Sequence, residues 1–339
     1  MKLDNLTSFF FAKKPTQAAF FLTYQCNSRC SWCNAWQQPK IKELTFPQIK
    51  KVFQQLKNFG VKLLYLSGGE PLLRQDFLAI VKLAHQLGFD LILVTNGILL
   101  DGRLIHHLVK IPSLRINVSL DSLDKKLYQK IRGVDALDRV LQNLKLFKNL
   151  YPHYPLRITM TISAVNLNQA EKIYQFCQKN HFYFSPNPYF ELGRFRKKSP
   201  LHDYRKITKQ LIDYYQKIAL KAKNEAYLSG LPLVYQKLTL WLEGKMTEPC
   251  GAGEELLFID PKGLVYACQD LKPFSDLTKE DLAKKWAAKK WLPAVKKCYQ
   301  ETPCFIFCTR SPYIIKHHKI QVLFDLLTSK KLLHYFKMY

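Results

Sequence analysis

Acidic side chains are scarce in this chain, with 26 Asp and Glu against 52 Lys and Arg and a formal net charge of +26. The plain reading is a lysine-rich solvated surface. The sharper one is attraction to something anionic: an acidic peptide, nucleic acid or membrane lipid. Long hydrophobic runs are missing as well, and no uncharged stretch approaches the roughly 18 residues that span a bilayer. The early run FFFA is cut off by Lys13 and Lys14 and has no small-residue cleavage site after it, too little for a secretory signal. Repeats at solenoid periods and low-complexity tracts are absent, which excludes array architectures. The nine histidines show no ligand spacing, and the pairs His106-His107 and His317-His318 read as surface or core residues. One further shortage is local. The stretch YQCNSRCSWCNAW, Tyr24 to Trp36, holds three cysteines spaced C-x3-C-x2-C and no fourth. A structural zinc site or a complete iron–sulfur cluster takes four protein ligands.

What is present suits a globular protein. Hydrophobic residues make up 47% and aromatics 13% of 339 residues, enough for one large domain or a barrel with a smaller appended unit. Without a targeting segment the chain is expected in the cytoplasm, where thiols stay reduced and clustered cysteines point to metal rather than disulfides. A buried strand is predicted at 17–23, just before the cysteine loop. Helix signals from Pro47 to Asn58, closed by Gly60, lead to a strand at 62–66, and the loop SGGEPLL leads to a helix from Asp76 to Leu87. DLILV ends at Thr95-Asn96-Gly97, LRINVSL ends at Asp121, and LRITMTI and FYFSPNPYF continue the series, with helices between them.

Six strand–helix units with short turns predict an α/β fold, a partial (β/α)6 barrel of parallel strands. Chemistry in such a barrel gathers where strands end. Cys26 to Cys33, Gly68 to Pro71, Thr95 to Gly97, Ser119 to Asp121 and Asn187 all sit at such ends. The barrel is expected over residues 1–195 and a helical connector, opened by the basic run RFRKK, over 196–245. A smaller extension with a second cysteine group and a terminal amphipathic helix is expected over 246–339.

Three thiolates on a four-iron cluster leave one iron with an open position. A ligand offering an amine and a carboxylate together would chelate it, and the methionine end of S-adenosylmethionine (SAM) is such a ligand. CNSRCSWC, with an aromatic before the third cysteine, resembles the signature of the radical SAM superfamily, and SGGEPLL resembles its GGEP motif. The likeness covers roughly residues 15–192. It implies an enzyme that reductively cleaves SAM at a [4Fe-4S] cluster, giving a 5′-deoxyadenosyl radical that abstracts hydrogen from substrate. It also implies a reductant such as flavodoxin or ferredoxin.

Carried over by motif, Cys26, Cys30 and Cys33 hold the cluster, Trp32 flanks the adenine, and Gly68, Gly69, Glu70 and Pro71 meet the methionine ammonium. Thr95 and Asn96 fall near the ribose. Ser119, Asp121 and Arg132 fall near the ribose or the methionine carboxylate, where Arg132 would form a bidentate pair. The competing reading of these last five is ordinary strand-end caps and ion pairs.

Five more cysteines, Cys250, Cys268, Cys298, Cys304 and Cys308, follow as C-x12-G-x4-C and C-x5-C-x3-C, with Gly263 at a hairpin turn. This resembles the SPASM/Twitch extension with its auxiliary iron–sulfur clusters. Val295 stands where one cysteine of the full SPASM set would fall, and none follows Cys308. One auxiliary [4Fe-4S] cluster on four of the five is therefore expected, against a zinc site or thiols without metal. Cys177 reads as a small buried hydrophobe.

The expected substrate is a peptide, acidic in keeping with the positive surface, or a cofactor precursor. The alternatives are the same chemistry on a lipid or isoprenoid at a membrane, and a non-catalytic iron–sulfur or zinc protein. A nucleic-acid substrate is disfavoured because no RNA-binding module is recognisable. A molybdopterin-type cyclase is disfavoured because LHYFKMY lacks that family's paired terminal glycines. The apolar pattern over 320–336 predicts an amphipathic helix that packs on the barrel or else meets a partner or an anionic membrane.

Overall fold

The computed structural model describes residues 12–190, 202–246, 248–301, 304–305 and 307–328, except the side chains of residues 204 and 307–309. Six parallel strands form the frame: β1 (Gln17–Phe21), β2 (Leu63–Ser67), β3 (Asp90–Thr95), β4 (Leu114–Ser119), β5 (Arg157–Ile162) and β6 (Tyr183–Pro188). They stand in chain order across the sheet. Helices cross between them: α1 (Phe46–Phe59), α2 (Phe77–Gln86), α3 (Gly102–Val109), α4 (Lys125–Arg132), α5 (Leu137–Leu150) and α6 (Ala170–Asn180). The result is an open partial barrel, as the alternation predicts. Strand β6 carries Pro186 and Pro188, which give no backbone N–H, and it lies at the sheet edge where this is tolerated.

Local chemistry fixes the helix ends close to the expected places. Gln48 accepts from the Thr45 amide at 2.9 Å at the start of α1, and Gly60 closes that helix at φ 107°. Asp101 and Asp124 cap α3 and α4 through the Leu104 and Leu127 amides, at 2.8 and 2.7 Å. The apolar faces of these helices cover the sheet in one continuous core, with Ile49, Phe53, Leu56, Ile80, Ile105, Val140 and Ile173 all excluded from solvent.

Two further helices, α7 (Thr208–Lys221) and α8 (Pro232–Leu242), fill the region expected to be a connector. The chain then returns to the sheet. Strand β7 (Leu256–Ile259) pairs in parallel with β1, and β8 (Leu264–Tyr266) and β9 (Ser275–Asp276) follow antiparallel, making one nine-stranded sheet. Gly263 turns the β7–β8 hairpin at φ 88°, as expected. The sequence pattern of a separate hairpin does not reveal this join: periodicity marks a strand, not the partner it finds. Helices α9 (Leu282–Ala287), α10 (Leu292–Glu301), α11 (Phe307–His317) and α12 (Lys319–Thr328) complete the described residues. None of the described helices is long and apolar enough to cross a membrane.

Candidate active site

The cysteine loop follows β1 and is held from both sides. The Arg29 and Ser31 amides donate to the carbonyls of Arg132 and Ile131 at 2.9 and 2.8 Å, using acceptors that the end of α4 leaves open. Gly133 makes this approach possible: its φ is +67°, and a Cβ there would stand 2.3 Å from the Arg29 carbonyl oxygen. Opposite, the Asn96 side-chain amide donates to Asn27 Oδ1 at 2.7 Å and Ser28 Oγ at 3.2 Å. Beneath the loop, Thr23 Oγ1 and the Tyr24 amide donate to Glu43 at 2.6 and 3.1 Å, and Arg74 braces Glu43 and the Leu22 and Leu44 carbonyls.

The Gly68–Gly69 loop lies directly on the cysteine loop. The Gly69 and Glu70 amides donate to the Thr23 and Gln25 carbonyls at 2.8 and 2.7 Å. A Cβ on Gly68 would meet the Thr23 carbonyl at 2.3 Å, and one on Gly69 the Gln25 carbonyl at 2.1 Å. These glycines are thus demanded by the protein's own backbone before any ligand is considered. Glu70 turns away from the loop. Its fully buried carboxylate accepts from Thr95 Oγ1 at 2.8 Å, the Asn96 amide at 2.7 Å and the Leu72 amide at 3.2 Å, tying the end of β2 to the end of β3. Burial pushes its pKa up to about 7 against those donors.

These elements enclose a cavity of about 240 Å³ at the carboxyl ends of the strands. Cys26, Cys30 and Cys33 face it together with Trp32, Gly68, Gly69, Thr95, Asn96, Ser119 and Arg132. Glu70, Pro71 and Asp121 stand behind its wall, and Asn187 is not part of it. Residues that the motifs did not single out also line it: Phe21, Ser28, Trp36, Val94, Thr161 and Gln269. No spacing rule would have found them, because four elements far apart in sequence bring them together.

Arg132 is the electrostatic centre of the cavity. It forms a buried ion pair with Asp121, which also accepts from the Thr161 amide at 2.7 Å. Its Nη1 approaches Cys30 Sγ at 3.8 Å, and its guanidinium lies 5.8 Å from the Trp32 ring. Burial pulls its pKa down, but the Asp121 carboxylate together with Cys30 and Tyr128 outweighs this and holds it above the ordinary arginine value. Burial also pushes Cys26 up to about 12 and raises Cys30, so the thiolates need a compensating cation. Trp32 is packed edge-on against His202, which joins Ser31 and Ser163 through its two ring nitrogens at 2.7 and 2.9 Å. This buried histidine carries no motif and was invisible in the sequence.

A second cavity, of about 140 Å³, gathers Cys250, Cys268, Cys298 and Cys304 with Asp270, Val295 and Tyr299. The Cys308 side chain lies outside the described residues. The buried Arg310 staples this site: its Nε donates to the Cys304 carbonyl at 3.0 Å, and its Nη1 donates to the Glu248 and Pro249 carbonyls at 2.9 and 2.6 Å. Cys268 lines this cavity while the next residue, Gln269, lines the first.

Comparison with known proteins bears on this geometry. A profile of the Radical SAM superfamily matches residues 20–177, the span that holds the cysteine loop and the Gly68–Gly69 loop. The chain carries a radical SAM domain. A probable GTP 3′,8-cyclase from Sulfurisphaera tokodaii is 35% identical over 159 residues, 46% of this chain and 50% of that protein. The chain spans about half the length of several such curated relatives. Among solved structures, Streptococcus suis SuiB bound to precursor peptide SuiA superposes with a TM-score of 0.67 at 19% identity, over 91% of this chain and 76% of SuiB. The structure of anSMEcpe with bound AdoMet and Cp18Cys peptide gives 0.60 at 18% identity, over 84% and 82%. At these identities the likeness is one of fold.

The radical SAM domain fits its cofactors on its own terms. Arg132 Nε and Trp36 Nε1 are buried donors with no partner among the described groups, and both residues line the cavity. An anionic ligand there would satisfy them. Among the described residues no three His, Cys, Asp or Glu side chains converge on a single metal ion.

Proposed function

We propose that this chain is a radical SAM enzyme acting on a peptide or a cofactor precursor, with one auxiliary iron–sulfur cluster. One observation carries the reading: three thiols, the Gly68–Gly69 loop and a buried arginine with an unsatisfied Nε face a single cavity at the strand ends. When bound, the cluster would supply the electron that cleaves the C5′–S bond of SAM to give the hydrogen-abstracting 5′-deoxyadenosyl radical. Cys26, Cys30 and Cys33 would hold it. Arg132, already charged by its pairing with Asp121, would receive the methionine carboxylate. The Gly69 and Glu70 amides are bonded within the protein, so the loop would offer carbonyl oxygens to the methionine ammonium. Ser119 and Thr161 would present hydroxyls, and Phe21 and Val94 apolar surface, to the nucleoside. The walls and the buried Trp32 would keep water from a reactive radical.

Support for the auxiliary cluster is that four of the five C-terminal cysteines meet in one cavity. A single zinc ion is the competing occupant. Substrate candidates divide in two. The curated relatives over the matched half of the chain are named for GTP, whereas SuiB and anSMEcpe, alike in fold, were solved with peptides.

The test is anaerobic reconstitution followed by incubation with SAM and a low-potential reductant. Roughly eight irons are expected for two four-iron clusters, with 5′-deoxyadenosine formed slowly even without substrate. Binding of a full cluster with no 5′-deoxyadenosine would favour a non-catalytic protein. About four irons with one zinc would keep the radical site and overturn the auxiliary cluster. GTP and acidic precursor peptides, each deuterated, would then be compared by deuterium transfer into 5′-deoxyadenosine. A folded Cys268→Ala variant should keep uncoupled SAM cleavage and lose product formation.

A further inference from the structure

Helix α12 leaves one face of its surface without a partner among the described residues. Eight large apolar side chains are exposed among the described residues, and four of them fall on this one helix: Ile320 (88%), Leu323 (58%), Phe324 (59%) and Leu327 (67%). Their spacing of three, one and three residues places them in a single stripe. The opposite face is fixed to the protein. Val322 and Leu326 are buried, and Asp325 accepts from the Leu233 amide at the start of α8 at 3.3 Å and from the Gln321 side chain at 3.1 Å. The stripe therefore has no way to turn inward while α12 stays docked.

Charge narrows what could cover it. The one acid on α12 is Asp325, which is buried, so the exposed face carries none. At the start of the helix Lys316, His317, His318 and Lys319 line an open groove of about 710 Å³. Two acids paired with them are sheltered: Glu255 pairs with Lys316 at 2.9 Å and Glu248 with His318 at 3.5 Å, with side-chain exposures of 4% and 13%. The sequence after α12 adds Lys330, Lys331 and Lys337 and no acidic residue. A second copy of the chain fits poorly. Four side chains fall far short of the roughly 20–30 residues a side of a stable protein interface. An apolar stripe beside cations and free of exposed acids matches instead the requirement for lying in the headgroup layer of an anionic bilayer.

We propose that α12 is an interfacial helix that seats the protein on anionic lipid, with Ile320, Leu323, Phe324 and Leu327 in the acyl boundary and the flanking cations at the headgroups. The proposal is independent of the chemistry inside the barrel.

The test uses the full chain, reconstituted anaerobically, in flotation with vesicles of phosphatidylcholine alone and with added phosphatidylglycerol. Flotation is expected with the anionic vesicles only, weakening as salt rises. Leu323→Gln with Phe324→Gln should reduce partitioning by about tenfold or more, since their apolar burial is lost. Because both side chains are exposed, the variant should melt with the wild type and cleave SAM at its rate. Absence of flotation with anionic vesicles would overturn the proposal. So would flotation undiminished in the variant, which would reduce binding to net charge alone. A concentration-dependent sedimentation coefficient that the variant abolishes would assign the stripe to a second copy and likewise overturn it.

Discussion

Replacing Glu70 would test whether the acid of the GGEP loop is a clamp or a ligand. Its carboxylate takes three donors, from Thr95, Asn96 and Leu72, at 2.8, 2.7 and 3.2 Å. Glu70→Ala leaves those donors without acceptors, two of them on residues that are buried. At about 1–3 kcal/mol for each unsatisfied buried group, the loss is roughly 3–5 kcal/mol. The loss depends on pH. Burial raises the Glu70 pKa from 4.5 to about 7. The folded state therefore holds its proton more tightly than the unfolded state. Glu70 contributes most below its unfolded pKa, and that contribution falls as pH rises towards the folded value. Between about pH 5.5 and pH 8 wild-type protein should lose about 2 kcal/mol that the alanine variant does not lose. The difference between the two proteins should thus be smaller at the higher pH. Glu70→Gln keeps one acceptor oxygen but turns an NH2 towards a backbone N–H, and should cost about 1–2 kcal/mol with no such pH dependence. Urea unfolding of the cluster-free protein, followed by circular dichroism at both pH values, would measure this. An alanine variant with the wild-type midpoint at both would refute the clamp. Unchanged folding with weakened SAM binding would show that the side chain faces the cofactor.

Three further outcomes follow from the same geometry. Substituting Cys26, Cys30 and Cys33 together by Ala should lower reconstituted iron by about four per chain and abolish 5′-deoxyadenosine, measured by iron assay and chromatography. Arg132→Lys keeps a charge beside Asp121 but loses the planar fork and Nε, so SAM affinity by calorimetry should weaken about tenfold or more while the fold survives. Gly133→Ala must relieve both a left-handed φ and a 2.3 Å collision with the Arg29 carbonyl, so the cysteine loop should shift and cluster uptake, read by absorbance, should fall sharply although Cys26, Cys30 and Cys33 are intact.

Much of this was legible from the chain alone because the signals are local. Short apolar runs alternating with helical stretches marked the strands, proline and glycine marked the helix ends, and cysteine spacing marked the loop. Thr95, Asn96 and Ser119 were placed by standing at strand ends and Arg132 by the family resemblance, and the fold brings all four to the cavity. What stayed hidden depends on partners distant in sequence. His202 between Ser31 and Ser163, Arg310 across the second cavity, and Gln269 in the first are single polar residues with no pattern around them. The glycines of GGEP were legible as a close approach, but the approaching atoms are the protein's own Thr23 and Gln25 carbonyls. Glu70 shows the same limit: a motif names the residue, and only the fold shows which way its side chain turns.

The pairing of β7 with β1 changes how the two cysteine groups relate. Residues 17–20 of β1 lead into the cysteine loop, and on their other side they pair with residues 256–259 of β7. The hairpin that follows β7 delivers Cys268 to the second cavity and Gln269 to the first in consecutive positions. Hydrogen bonds hold the join from both sides. Asp260 takes the Lys262 and Leu264 amides and the Tyr266 hydroxyl at 2.9, 3.0 and 2.9 Å, and Tyr24 of the cysteine loop reaches the same carboxylate at 3.4 Å. One buried carboxylate thus ties the loop that bears Cys26 to the hairpin that bears Cys268. Cys268 and Gln269 are joined by one peptide link, so a ligand bound by Cys268 would constrain Gln269 in the wall that Arg132 and Trp32 also line. Through Gln269 the extension contributes to the wall of the first cavity rather than standing as an appendage beside it.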